Sequence, residues 1–156
     1  MIREFEFYHG IVFTSLFHYT AECLRVGQFP SADNSSYVVN DSVGVYVKYS
    51  TKRMSPWHFS FEKRHNAEIV EMSRRFERVI VMLVCKDDGV AGVNYEEFGQ
   101  IVDVTVKSMQ WVSVVRRPRE KYSVKGPLGS LSYKIGMTDY CEKVLGSKSC
   151  LASPTR

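Results

Sequence analysis

Seven consecutive apolar residues in the middle of the chain constrain the fold more than any other feature. Residues 79–85 are VIVMLVC, and the polar sequence KDDG at 86–89 closes the run. A strand with one solvated face alternates apolar and polar residues, so an unbroken run of strand length belongs inside a sheet that is covered on both faces. We therefore expect a mixed α/β fold, with helices flanking a central mixed sheet.

Two segments predict helices. Residues 4–17 place apolar side chains at near-helical spacing, although the alternation of Phe5 and Phe7 with glutamates would also suit a short strand. We favour the helix. Residues 62–76 predict an amphipathic helix with basic residues in its last turn, where they suit the helix dipole. The apolar face of this second helix carries Ile69, Met72 and Phe76.

A β-hairpin is predicted between the two helices. Residues 37–40 and 45–50 have strand patterns, and the turn sequence DSVG at 41–44 joins them. Farther along, residues 110–116 and 122–135 predict additional strands. We expect residues 1–145 to form one domain and the small, polar residues 146–156 to form a flexible C-terminal tail.

One lysine has a distinctive place in the hairpin. Alternation along residues 45–50 puts Lys48 on the face opposite the valines. Residues 57–61 (WHFSF) alternate again after a polar turn, so we expect them to form a two-stranded unit with residues 45–50. The turn carries Lys52 and Arg53, and a strand lysine beside a basic turn suits a phosphate ligand. A solvated strand lysine is the simpler alternative.

The distribution of charge indicates a polyanionic partner. Residues 45–78 carry eight Lys and Arg against four Glu, and residues 105–134 carry seven against one, whereas the remainder of the chain is acidic. Basic residues gathered into two segments are typical of a nucleic-acid footprint, although charged turns are also common in solvated loops. The candidate nucleic-acid contacts are Lys52, Arg53, Arg116, Arg117 and Arg119.

Several classes of protein are not expected. The chain has no apolar run long enough for a membrane span, and its first residues are acidic where a secretory signal would be basic, so we expect a cytoplasmic protein without membrane contact. The cysteines have no zinc-site spacing and are expected to be reduced, with Cys85 in the core. P-loop, dinucleotide-binding and nucleophile-elbow motifs are missing.

The order of helix, hairpin with a strand lysine, helix and apolar strand resembles the PD-(D/E)XK, or restriction-endonuclease-like, nuclease superfamily. The resemblance covers about residues 4–85 and centres on VYVKYS at 45–50 and WHFSF at 57–61. It implies a restriction-endonuclease-like domain that binds DNA or RNA. It also implies a site in which carboxylates hold Mg²⁺ and a lysine helps to activate the water that attacks a phosphodiester.

The resemblance assigns roles to residues of this chain. Lys48 matches the catalytic lysine, Glu6 or Glu4 matches a helix glutamate, and Tyr46 stands where the family has an acidic ligand. The upstream acid is Asp33 or Asp41. The predicted catalytic residues are Lys48, Glu6 and Asp41, and the predicted Mg²⁺ ligands are Glu6, Asp33 and Asp41.

Other interpretations stay open. Because a phenol is a poor ligand for Mg²⁺, a non-catalytic nucleic-acid-binding or adaptor module on the same scaffold competes with a nuclease. A second enzymatic alternative uses His18 and His58, each in a His-x-Thr/Ser triplet, as the acid and base of a phosphoesterase. Trp57 is expected to anchor the core rather than to stack on a base. A homodimer is also left open.

Overall fold

The computed structural model describes residues 1–31 and 33–146, which form four helices and nine strands. The mixed α and β class expected from the sequence is confirmed. The helices are α1 (Glu4–Tyr19), α2 (Lys63–Arg75), α3 (Tyr95–Ile101) and α4 (Asp139–Leu145). The strands are β1 (Val26–Gln28), β2 (Ser36–Val39), β3 (Val43–Ser50), β4 (Trp57–Phe61), β5 (Arg78–Cys85), β6 (Gly89–Asn94), β7 (Gln110–Val115), β8 (Ser123–Gly126) and β9 (Gly129–Ser130).

The larger sheet has five strands in the order β1-β2-β3-β5-β6. Strand β3 pairs in parallel with β5, and the other neighbours are antiparallel. The apolar run at 79–85 lies in β5, which is between β3 and β6 and is buried from Val79 to Cys85. The parallel β3–β5 pair requires a crossover, and β4 and α2 provide it.

The two faces of this sheet cover different cores. Val45, Val47 and Ile80 point to one face and pack with residues of α1 and α4. Tyr46 and Val81 point to the other face, where they pack with α2, α3 and the second sheet. Alternation along β3 places Lys48 opposite the valines, as the sequence predicted, and this is the side on which α2 packs.

The smaller sheet has four antiparallel strands in the order β4-β7-β8-β9. The predicted pairing of residues 45–50 with 57–61 is wrong, because β3 belongs to the larger sheet and β4 pairs with β7. Alternation predicts that a segment is a strand and leaves its partner undetermined. The apolar side chains of β4 complete the core between the two sheets, and these are Trp57, Phe59 and Phe61.

Three further expectations concern Cys85, membrane spans and the C-terminal tail. Cys85 is buried in the core, and burial raises the pKa of its thiol, as expected for an inert structural cysteine. Within residues 1–31 and 33–146, no helix has the length and apolar character needed to cross a membrane. Gly146 follows α4 directly, and the rest of the expected tail, 147–156, lies outside the described residues.

Trp57 anchors the core, as expected. Its side chain is buried, and its indole N–H donates a hydrogen bond to the carbonyl oxygen of Lys52 at 2.9 Å. We expect Trp57→Phe to lower the free energy of unfolding by about 2 kcal/mol, because it removes buried ring area and this hydrogen bond. Thermal melts followed by circular dichroism measure the change, which corresponds to roughly 4–8 °C in Tm. An unchanged Tm would contradict the anchoring role.

Candidate phosphate-binding site

A pocket of about 630 Å³ opens where the second half of β3 meets the starts of α1 and α2. Strand β3 contributes Lys48 to this pocket, the segment before β2 contributes Asp33, and α2 contributes Arg64 and His65. The first turns of α1 close the opposite side with Glu4, Phe5 and His9. The pocket thus collects side chains that are up to 61 positions apart, from Glu4 to His65.

Lys48 is the half-buried cation of the pocket. Its Nζ lies 3.5 Å from Nδ1 of His65 and 5.2 Å from the ring centre of Phe61. Burial lowers the pKa of its ammonium, an effect that nearby Glu62 and Asp33 oppose. Among the residues that the structure describes, none of the ion pairs involves Lys48.

His65 is oriented by the start of α2. Its Nδ1 accepts a hydrogen bond from the backbone N–H of Glu62 at 3.0 Å, so the neutral ring carries its proton on Nε2. That nitrogen points to Oδ2 of Asp33 at 3.4 Å. Burial, and then the charges of Lys48 and Arg64, lower the pKa of His65, so the ring is neutral at pH 7. A neutral imidazole beside Lys48 cannot form an ion pair with the ammonium.

Asp33 and Arg64 neutralise each other at the mouth of the pocket. Nη1 of Arg64 donates to both carboxylate oxygens of Asp33, at 2.6 and 2.7 Å. The hydrogen bonds from Arg64 hold the pKa of Asp33 below its usual value, and the pair raises the pKa of the guanidinium. Asp33 is therefore an ionised carboxylate whose two oxygens are both engaged.

The α1 side of the pocket is aromatic and uncharged except for Glu4. The hydroxyl of Tyr49 donates to Oε1 of Glu4 at 3.2 Å, and Tyr49 also stacks on Tyr8 with 4.6 Å between ring centres. Nδ1 of His9 forms a hydrogen bond of 2.7 Å with the hydroxyl of Tyr37. Burial lowers the pKa of His9 to about 4, so this ring is neutral too.

The structure brings together only some of the predicted catalytic and metal-binding residues. Asp33 lines the pocket with Lys48, but Glu6 lies on the exposed first turn of α1, where it pairs with Arg3 at 3.3 Å. Asp41 lies at the β2–β3 turn, at the opposite end of β3 from Lys48, and pairs with Arg25 at 3.0 Å.

This donor set does not suit Mg²⁺, which needs several hard oxygen ligands. Within the described parts of the chain, no three His, Cys, Asp or Glu side chains come close enough together to hold a metal ion. Both oxygens of Asp33 are bound to Arg64. Tyr46, which the resemblance puts in the place of an acidic ligand, is buried, and burial raises the pKa of its phenol, so the hydroxyl keeps its proton.

The two predicted basic segments are neighbours in space. The backbone N–H of Arg116 donates to Oγ of Ser55 at 3.2 Å, which holds the loop after β7 against the loop that carries Lys52 and Arg53. Lys52 and Arg53 are exposed, as are Arg117 and Arg119. Arg116 differs, because its guanidinium binds both carboxylate oxygens of Asp88, at 2.6 and 2.8 Å. Arg116 is therefore held by the fold, and the others are available to a ligand.

The proposed pair of catalytic histidines is not assembled. His18 lies in the last turn of α1. His58 is exposed on β4, in the sheet that packs on the other face of the five-stranded sheet from α1. The two imidazoles cannot act on one phosphate from opposite sides of that sheet.

Sequence reasoning missed three residues of the pocket, Arg64, His65 and His9. The position of His65 had a usable signal, since a side chain three residues after a helix N-cap commonly turns back to the cap, and Glu62 is that cap. Comparison of the chain with protein-family models, curated proteins and solved structures found no match. The function is therefore inferred from the chain's own residues.

Proposed function

We propose that this protein binds nucleic acid and that the Lys48 pocket receives one of its phosphate groups. The observation that carries the proposal is the half-buried ammonium of Lys48, which faces a neutral imidazole and forms no ion pair among the described residues. Burying a charge without an ion-pair partner costs free energy, and a bound phosphate oxygen would supply that partner.

The surroundings of Lys48 support an anionic ligand of this kind. Glu62 and Asp33 are the nearby acids whose charges act on Lys48, and both form their ion pairs with Arg64 rather than with the lysine. The loop with Lys52 and Arg53 begins directly after β3 ends, and the contact between Arg116 and Ser55 holds the loop that carries Arg117 and Arg119 against it. A strand of nucleic acid that placed one phosphate in the pocket could place the neighbouring phosphates on these exposed cations.

The non-catalytic binding module is favoured over a metal-dependent nuclease. The order of elements around β3 is the one that suggested the PD-(D/E)XK superfamily, and a relationship to that superfamily is part of the proposal. The carboxylates that would hold Mg²⁺ are dispersed or engaged, as Asp33, Glu6 and Asp41 show. A lysine without that metal site binds phosphate and does not generate the attacking water.

The test is the salt dependence of binding to fluorescein-labelled DNA and RNA oligonucleotides, measured by fluorescence anisotropy. We expect affinity to fall as salt rises. The double variant Arg117→Ala/Arg119→Ala should flatten the slope of log K against log salt by about 0.7–0.9 for each phosphate that it no longer neutralises. Arg74→Ala, at the far end of α2, is the matched control and should leave the slope unchanged.

Two results would overturn this proposal. One is an intact protein that binds no oligonucleotide at low salt. The other is cleavage of the oligonucleotides by the wild type with Mg²⁺ or Mn²⁺ that Lys48→Ala abolishes, which would establish the nuclease instead.

A further inference from the structure

The four-stranded sheet has an open outer face that the Lys48 pocket does not use. The register of the strands places Ser60 opposite Trp111, and His58 opposite Ser113, which in turn lies opposite Lys125. Directly opposed residues in antiparallel strands share a face, so these side chains form one surface. A shallow pocket of about 460 Å³ on this surface is lined by Pro56, His58, Trp111, Ser113, Val115 and Lys125.

Trp111 is the distinctive residue of this surface. The side chain is 44% exposed, whereas Trp57, on the inner face of the same sheet, is 2% exposed. The core therefore uses one indole of this sheet and leaves the other at the surface. A flat indole beside an imidazole and a lysine provides a stacking platform with a cation next to it.

The charges around this surface match a polyanion. Of the described residues, those that line the pocket include Lys125 and no acid. Strand β4 begins just after the loop with Lys52 and Arg53, and β7 ends just before the loop with Arg117 and Arg119. Both basic loops thus adjoin this face, and the first of them also connects it to the end of β3, the strand that carries Lys48.

We infer that the outer face of the four-stranded sheet binds single-stranded nucleic acid, with an unpaired base stacked on Trp111 and the adjoining phosphates near Lys125 and the basic loops. This inference rests on the proposed function and specifies the form of the ligand. A duplex keeps its base faces stacked inside the helix, whereas a single strand can present them to an aromatic side chain on a sheet.

The experiment uses the fluorescence of the two tryptophans. We expect titration of the wild type with a 15-nucleotide oligo(dT) or oligo(U) strand to quench the emission of exposed Trp111. The quench should persist in Trp57→Phe and vanish in Trp111→Leu. Anisotropy should show that Trp111→Leu weakens binding of the strand roughly 5- to 100-fold, while Trp111→Tyr, which keeps an aromatic face, stays close to wild type.

The outcomes separate this inference from the proposed function. Salt-dependent binding of the strand without a quench, and with unchanged affinity in Trp111→Leu, overturns the stacking face and leaves the phosphate proposal standing. Tighter binding of a 15-base-pair duplex than of either single strand, with unchanged tryptophan emission, also overturns it. Absence of binding to every oligonucleotide at low salt overturns both.

Discussion

Lys48→Met is expected to weaken oligonucleotide binding about 10- to 100-fold and to leave the thermal stability unchanged or higher. A hydrogen bond to a charged group contributes roughly 1.5–3 kcal/mol, and 1.4 kcal/mol corresponds to tenfold in affinity. Methionine has a similar length and would pack against Phe61, over which the lysine now lies at 5.2 Å. Anisotropy measures the affinity, and circular dichroism melts measure the stability.

Lys48→Met is expected not to lower stability because the pKa of Lys48 is lowered in the folded protein. Because the folded state binds this proton less tightly than the unfolded state, the free energy of unfolding is reduced below the folded pKa and recovers as pH rises towards the unfolded value. Removal of the ammonium relieves this reduction. Lys48 is thus expected to increase the affinity for the ligand and to lower the free energy of unfolding.

Lys52→Met is the matched control for Lys48→Met. Lys52 is exposed beyond the end of β3, so its replacement should weaken binding only by one screened phosphate interaction and should not change Tm. If Lys48→Met bound oligonucleotides as tightly as the wild type, Lys48 would be an ordinary strand lysine and the pocket would not be the phosphate site.

Arg116→Ala is expected to lower the free energy of unfolding by about 2–4 kcal/mol, somewhat less than for breaking a fully buried ion pair. The side chains of Arg116 and Asp88 are each 20% exposed and are joined by two hydrogen bonds. The hydroxyl of Tyr122 donates to Asp88 at 2.7 Å, so the carboxylate would retain this single partner in the variant. Urea unfolding at pH 7 measures the decrease.

Exposed Arg117 provides the contrast to Arg116. Arg117→Ala should change stability by less than about 0.5 kcal/mol and should weaken nucleic-acid binding, because no carboxylate pairs with this side chain in the ion pairs of the described residues. If Arg116→Ala were as stable as Arg117→Ala and equally impaired in binding, Arg116 would face phosphates, as the sequence had suggested.

The Arg116–Asp88 pair also sets a pH dependence. The hydrogen bonds from Arg116 contribute most to lowering the pKa of Asp88 from 3.8. A carboxyl with a lowered folded pKa stabilises the fold above its unfolded pKa, and this contribution disappears as pH falls through the folded value. We expect the wild type to lose more stability than Arg116→Ala between about pH 5 and pH 2, as measured by urea unfolding along that range.

Local patterns were sufficient for the central elements of the fold, whereas β1 and α4 were not predicted. The unbroken apolar run 79–85 could be covered only on both faces, so it predicted the interior strand β5. Helical spacing predicted α1 and α2, and the direction of Lys48 followed from alternation along β3. Each of these properties depends on neighbours a few residues away, which a sequence displays directly.

Partners across the chain were decided only by the tertiary structure. Alternation predicted that β3 and β4 are strands. The structure places them in different sheets, and the apolar face of β4 packs into the core between those sheets. Nothing in the local sequence of Arg116 indicates that Asp88, 28 positions away, will bind it, while Arg117 stays exposed.

The same distinction applies to the site. The sequence by itself identified Lys48 and the two basic segments, because side-chain direction and local charge are local properties. Only the fold decided that Asp33 would be held by Arg64, that His65 would face Lys48, and that Glu6 and Asp41 would lie elsewhere. The physical reason is that ion pairing, burial and pKa depend on distances between residues far apart in the chain, and packing of the core sets those distances.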